Sequence, residues 1–207
     1  MLLISVVVFA TGVTVFINAR QRVQSQPMLQ PSAAATTAAA PSATSSVPVA
    51  FQQAPCPFTP GRGMKEGSNM RCGLLTVPED HSIARGASIQ LAVAIFKSPV
   101  ADTSAAPVIY LDGGPGGATL SLIGPQITVT NRQIVTLGHD MIFFDQRGAG
   151  YSRPSLSCPE LERVESYQSQ VIAIRNCHDR LIRSGINLSA YTTLQNAADV
   201  HDLISAV

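Results

Sequence analysis

The stretch VIYLDGGPGG, residues 108 to 117, constrains this chain more than any other. A short apolar run there meets four glycines and a proline. Glycine gives up more backbone entropy on ordering than any other residue, so such a cluster needs a reason. Three reasons compete: a tight turn, a phosphate cradle, or backbone N–H groups aimed at a reacting oxygen. The cradle fails on spacing, because neither G-x-G-x-x-G nor G-x-x-x-x-G-K-[ST] fits here and no lysine lies nearby. The other two are separated by the surrounding elements.

From Cys72 the chain reads as a short apolar strand halted by Pro78, followed by a second run in which Ile89, Leu91, Val93 and Ile95 alternate onto one face. The pair reads as an antiparallel opening to a sheet. Pro107 introduces a third strand, VIYLD, apolar on both faces as an interior parallel strand is. Residues 118–138 read mostly as helix, although Pro125 and the β-branched residues oppose an unbroken one. MIFF, residues 141–144, is a fourth strand that runs into the polar loop DQRGAGYS. Residues 159–184 have helical composition. A last helix is capped by Thr192 or Thr193, with Ala197, Val200, Leu203 and Ile204 on one face. This alternation predicts an α/β sheet of about four strands with flanking helices. Both glycine loops follow strands of that sheet and so should open on one edge, where open α/β sheets place their ligands. That raises the N–H donor reading above a plain turn.

The rest of the chain divides in three: residues 1–23, 24–55 and 56–207. Residues 2–17 carry no charge, which reads as a signal peptide or signal anchor. As a helix this run spans roughly 24 Å, short of a ~30 Å bilayer core. Arg20 and Arg22 follow it, where the positive-inside rule would hold the next domain in the cytoplasm. A start upstream of Met1, with a basic segment, would remove that conflict. Residues 24–55 are rich in Ala, Ser, Thr and Pro and nearly free of aromatics, so they read as a disordered tether. A net charge of +1, with 13% charged residues, gives no nucleic-acid surface.

Cys56, Cys72, Cys158 and Cys177 have no C-x-x-C spacing, so a zinc site is not expected. An even number behind an export-like segment favours disulfides and an extracytoplasmic location, secreted or membrane-anchored by residues 2–17. Four cysteines allow three pairings; neighbour pairing is the simplest, and four buried thiols are the alternative. If Cys158 pairs with Cys177, the segment between them must fold back. One straight helix would hold them about 28 Å apart, and a disulfide needs Cα atoms within ~7 Å.

The succession CGLLTVPEDH, VIYLDGGPGG, FFDQRGAGYSRPSLSC and YTTLQNAADVHDL resembles the proline iminopeptidase and tripeptidyl aminopeptidase group of α/β-hydrolases. The resemblance covers residues 56–207, and GGPG followed by DQRG is its specific part. It implies an eight-stranded, mostly parallel sheet of which this chain supplies the N-terminal part. It also implies serine peptidase activity without a cofactor, on a peptide or small amide or ester. The GGPG loop would give a backbone N–H to an oxyanion hole, first from Gly114 and next from Gly113. Asp112 stands where many members have histidine, so it is expected to turn away or be paired. The secreted branch carries cysteines near positions matching these four.

Acyl transfer builds negative charge on a carbonyl oxygen, and fixed backbone donors stabilise it without reorganising. The triad that would use them is missing. No G-x-S-x-G elbow occurs in the 207 residues. Ser152 lies one strand too early and reads as a loop hydroxyl. His81, His139, His178 and His201 read as surface or structural, and Asp145 with Arg147 as a turn-closing ion pair. The chain therefore reads as the first part of a serine hydrolase, inactive alone. MIFF, normally central, would lack a neighbour and leave an apolar edge. The competing reading is a membrane-tethered, non-catalytic remnant with a binding or scaffold role. A weaker one is an esterase or epoxide hydrolase of the same fold.

Overall fold

Two interleaved sets of apolar side chains, one per face, make the sheet. The computed structural model describes residues 48–100, 105–114, 116–162 and 164–207. The apolar run at 2–17 and the tether up to residue 47 lie outside the described residues. Among the described residues the strands are β1 (Ala50–Gln53), β2 (Met70–Pro78), β3 (Ser88–Phe96), β4 (Val108–Tyr110) and β5 (Met141–Phe144). Their order across the sheet is β1-β2-β3-β5-β4. Every pairing is antiparallel except β4 with β5, which is parallel.

On one face Met70, Cys72, Ala92, Ala94, Phe96 and Phe143 gather with Leu120 and Ile127. On the other Leu75, Val77, Ile89, Leu91, Val93, Ile95, Ile142 and Phe144 gather with Leu203. The period of two thus places alternate residues of one strand in two different cores. Leu120 belongs to helix α1 (Thr119–Ile123) and Leu203 to helix α4 (Thr193–Ala206), so helices cover both faces. The fold is α/β.

Five strands replace the four read from the sequence. The extra one, β1, falls within residues 24–55 and pairs with β2 from Ala50↔Thr76 to Gln53↔Gly73. A second correction concerns β4. It lies at the sheet edge instead of the interior, with Val108 and Tyr110 exposed. MIFF is flanked on both sides, by β3 and β4, so the open edge belongs to β4 and not to MIFF. The segment read as one helix is broken: α1 passes into a 3-10 turn at Gly124–Gln126 around Pro125, and a separate helix α2 follows (Arg132–Thr136). Proline cannot donate to a helical ladder, which accounts for the break.

Both disulfides join neighbours. Cys56–Cys72 ties the segment after β1 onto β2, with Cα atoms 5.0 Å apart. Cys158–Cys177 spans 5.5 Å, and the chain folds back between them through a 3-10 turn at Pro159–Leu161 before helix α3 (Tyr167–Arg183). Ser166 and Ser169 form the capping box that starts α3. Thr192 caps α4 by accepting from the Gln195 N–H. The buried stripe of α4 carries Asp199 and Leu203, with Val200 and Ala206 beside them, while Ala197 and Ile204 face solvent. The expected apolar face is therefore rotated, because it left out a buried carboxylate.

Candidate functional site

The glycine loop begins where β4 ends. Asp112 folds its carboxylate back into that loop. Its Oδ1 accepts from the Gly113 N–H at 2.9 Å and its Oδ2 from the Thr119 hydroxyl at 3.4 Å. A Cβ built on Gly117 would come within 2.4 Å of Asp112 Oδ2, so the carboxylate fills the space beside that glycine. Asp112 is thus paired with its own loop. Gly114 takes φ +131°, a region closed to ordinary side chains, and both Gly113 and Gly114 are exposed. Of the two oxyanion candidates, Gly113 already spends its N–H on Asp112.

The second loop follows β5, on the same edge of the sheet. Gln146 donates from Nε2 to the Asp112 carbonyl at 2.9 Å and cross-links the two loops. Asp145 is fully buried. Its Oδ1 accepts from the Leu120 N–H at 2.9 Å and its Oδ2 from the Tyr151 N–H at 2.7 Å. Burial pushes this carboxyl up from its ordinary value. The two N–H bonds oppose that shift, and the nearby Asp112 charge adds to it. Ser152 is a buried loop hydroxyl. It donates to the Asp145 carbonyl at 2.6 Å and accepts from the Ala92 N–H at 3.0 Å.

The expected Asp145–Arg147 ion pair is absent. Arg147 turns away and meets Asp199 on α4 with two bonds, Nε to Oδ2 at 2.8 Å and Nη2 to Oδ1 at 2.6 Å. Its Nη1 also reaches the carbonyls of Glu79 and Ala190. One planar guanidinium thus joins the end of β2, the loop before α4, and α4 itself, a geometry that lysine cannot reproduce. His81 extends the cluster, with Nε2 at 2.9 Å from Asp199 Oδ1 and Nδ1 at 3.7 Å from Asp202. Tyr191 stacks against Arg147, and burial raises its phenol to about 12. This cluster supports the site and holds no free nucleophile.

The other candidates lie apart. His139 bonds the Ala106 carbonyl at 2.8 Å, while His178 and His201 are surface residues beside Asp179 and Asp202. Cys158, Glu160 and Cys177 form one potential ligand trio among the described residues, but the two sulfurs are joined and Glu160 is paired with Arg180. Sequence reasoning missed Asp199 and Gln146. A carboxylate on an otherwise apolar helix stripe was the available signal for Asp199; Gln146 offered none. Between the loops and α4 lies a hollow of about 510 Å³ lined by Leu111, Asp112, Gly114, Phe144, Gln146 and Asn196.

No protein-family model matches this chain. It is 36% identical over 94 residues to tripeptidyl aminopeptidase of Streptomyces lividans, a match covering 43% of this chain and 17% of that protein. The tripeptidyl aminopeptidase of Streptomyces coelicolor is 35% identical over the same length. Carboxylesterase B of Mycobacterium tuberculosis is 25% identical over 103 residues, 50% of this chain and 19% of that protein. The chain thus matches under a fifth of the length of these curated relatives. Their names are those of hydrolases, which supports a hydrolase-type family.

Proposed function

We propose that this chain forms the N-terminal part of an exported serine hydrolase, an aminopeptidase-type peptidase that cleaves near a free N-terminus. The observation that carries the reading is the pairing of two loops on one sheet edge. The GGPGG loop follows β4, the DQRG loop follows β5, and Gln146 bonds one to the other. Backbone donors at that edge suit a developing oxyanion. Gly114 is the first donor in this reading, because the Gly113 N–H is engaged by Asp112. The serine, its base and its acid come from sequence beyond these 207 residues, as does the substrate's amino-group pocket. The two disulfides fit an oxidising compartment, with residues 2–17 as the export or anchoring segment.

The test is labelling of the intact gene product, isolated from its own source, with a fluorophosphonate. It is followed by assay on a tripeptide arylamide with free and with acetylated N-terminus. A labelled serine and preference for the free amine are expected. An unlabelled, inert product would sink the enzyme reading and leave the tethered, non-catalytic protein. The relative named carboxylesterase B favours a second reading, ester hydrolysis on the same site. Faster turnover of p-nitrophenyl esters than of any arylamide would select it.

A further inference from the structure

Asp145 is buried without a cationic partner among the described residues, beside a loop where a second carboxylate already stands. Burying a carboxylate is costly, so its retention needs a cause. The cause lies in its two donors. The Leu120 N–H belongs to the first turn of α1, directly after the glycine loop, and the Tyr151 N–H belongs to the DQRG loop. Two N–H groups converging on one side chain require an acceptor at both of its ends. A carboxylate offers that, whereas an amide offers one oxygen and presents hydrogens at the other end.

The carboxylate is also held from behind. The Asp145 N–H donates to the Ala92 carbonyl at 3.0 Å, and Ser152 bridges the Asp145 carbonyl to the Ala92 N–H. Gly150, at φ +51°, leaves no space for a side chain, since a Cβ there would lie 2.1 Å from Asp145 Oδ2. A rigid path therefore runs from the middle of β3 through Asp145 to the residue where the glycine loop becomes helix. The entry to that loop is fixed separately, by β4 and by Gln146 on the Asp112 carbonyl.

We propose that Asp145 is a positioning residue for catalysis, whose two carboxylate oxygens set the exit of the glycine loop and so the direction of the Gly114 N–H. This rests on the hydrolase reading above. It assigns to Asp145 no contact with substrate. Misplacing a donor by about 1 Å can cost 100-fold in rate, and the loss should fall on the transition state and spare ground-state binding.

The experiment uses the intact enzyme carrying Asp145→Asn, with Leu181→Ala, at a buried position of α3 outside both loops, as a control for general destabilisation. Turnover, KM and the affinity for a peptide boronic acid are measured together with the melting temperature. Asp145→Asn should lower kcat by about 10- to 100-fold with KM within about two-fold, and weaken the boronate in parallel. Leu181→Ala should lower the melting temperature and leave kcat and boronate affinity near wild type. Should Asp145→Asn fail to fold, Gly150→Ala displaces the carboxylate without changing charge and should reproduce the kcat loss. A variant that melts early but retains wild-type kcat and boronate affinity would overturn the proposal. An inactive wild type that no fluorophosphonate labels would instead overturn the hydrolase reading, so the two failures are distinct.

Discussion

Tyr191 shows how a single residue records its surroundings. It is half-buried against Arg147, and burial holds its phenol protonated to about 12, against an ordinary value of 10.0. In the unfolded chain it ionises near the ordinary value. The folded state therefore binds its proton more tightly, and the stabilisation it adds is complete below pH 10.0 and is lost as pH rises towards about 12. A phenolate absorbance titration should contain a late step near pH 12, and Tyr191→Phe should remove it. Absence of that late step would contradict this packing. At the same scale lies the misread pair. Asp145 and Arg147 are two positions apart with opposite charges, and proximity in sequence suggested a bond. The strand-to-loop turn sends them to different partners, because each finds better-matched groups across the fold: two N–H donors for the carboxylate, and a bidentate acid for the guanidinium.

Among the elements, α4 depends most on one contact. Arg147 and Asp199 are buried to within 1% of complete exclusion from solvent. Removing one partner of such a pair leaves the other charge uncompensated, at about 3–5 kcal/mol. Asp199→Ala should accordingly lower folding stability by that order in urea denaturation and loosen α4 first, seen as faster amide exchange between Thr193 and Ala206. A loss below about 1 kcal/mol, typical of a surface pair, would show that the cluster is solvated. Helix α4 also shows what was legible beforehand. Its cap at Thr192 and its extent followed from residue types, while its inward face did not, because periodicity counts apolar residues and Asp199 is buried through a partner 52 positions away. The broken helix after the glycine loop was half legible: Gly138 marked its end and Pro125 announced an interruption, but not that two separate short helices would form.

For the whole molecule the sheet order matters most. Strands β2, β3 and β5 were legible because each carries a continuous or alternating apolar run. Strand β4 was legible as a strand but not as an edge, since a three-residue run carries no record of its neighbours. Strand β1, Ala50–Gln53, was hidden inside an Ala/Pro-rich stretch and is held by its pairing with β2 more than by its own propensity. The glycine loop was placed correctly at the end of a strand, and the bond from Gln146 that aligns the two loops could not be read from sequence spacing. The edge has a direct consequence. Val108, Tyr110 and Leu111 are exposed along it, and unpaired strand edges of this kind associate. The 207-residue chain should self-associate at micromolar concentration in light scattering, and Tyr110→Lys should raise the monomer fraction several-fold. An equally monomeric wild type would show the edge to be protected.

The two disulfides follow one another along the chain, separated by 16 and 19 residues, and neither encloses the other. Closing a short loop costs less chain entropy than closing a long one. A polypeptide emerging vectorially into an oxidant can therefore seal Cys56–Cys72 before Cys158 has left the channel, and then seal the second pair independently. Under the export proposed above, order of arrival alone would give the native connectivity, with no wrong partner for an isomerase to undo.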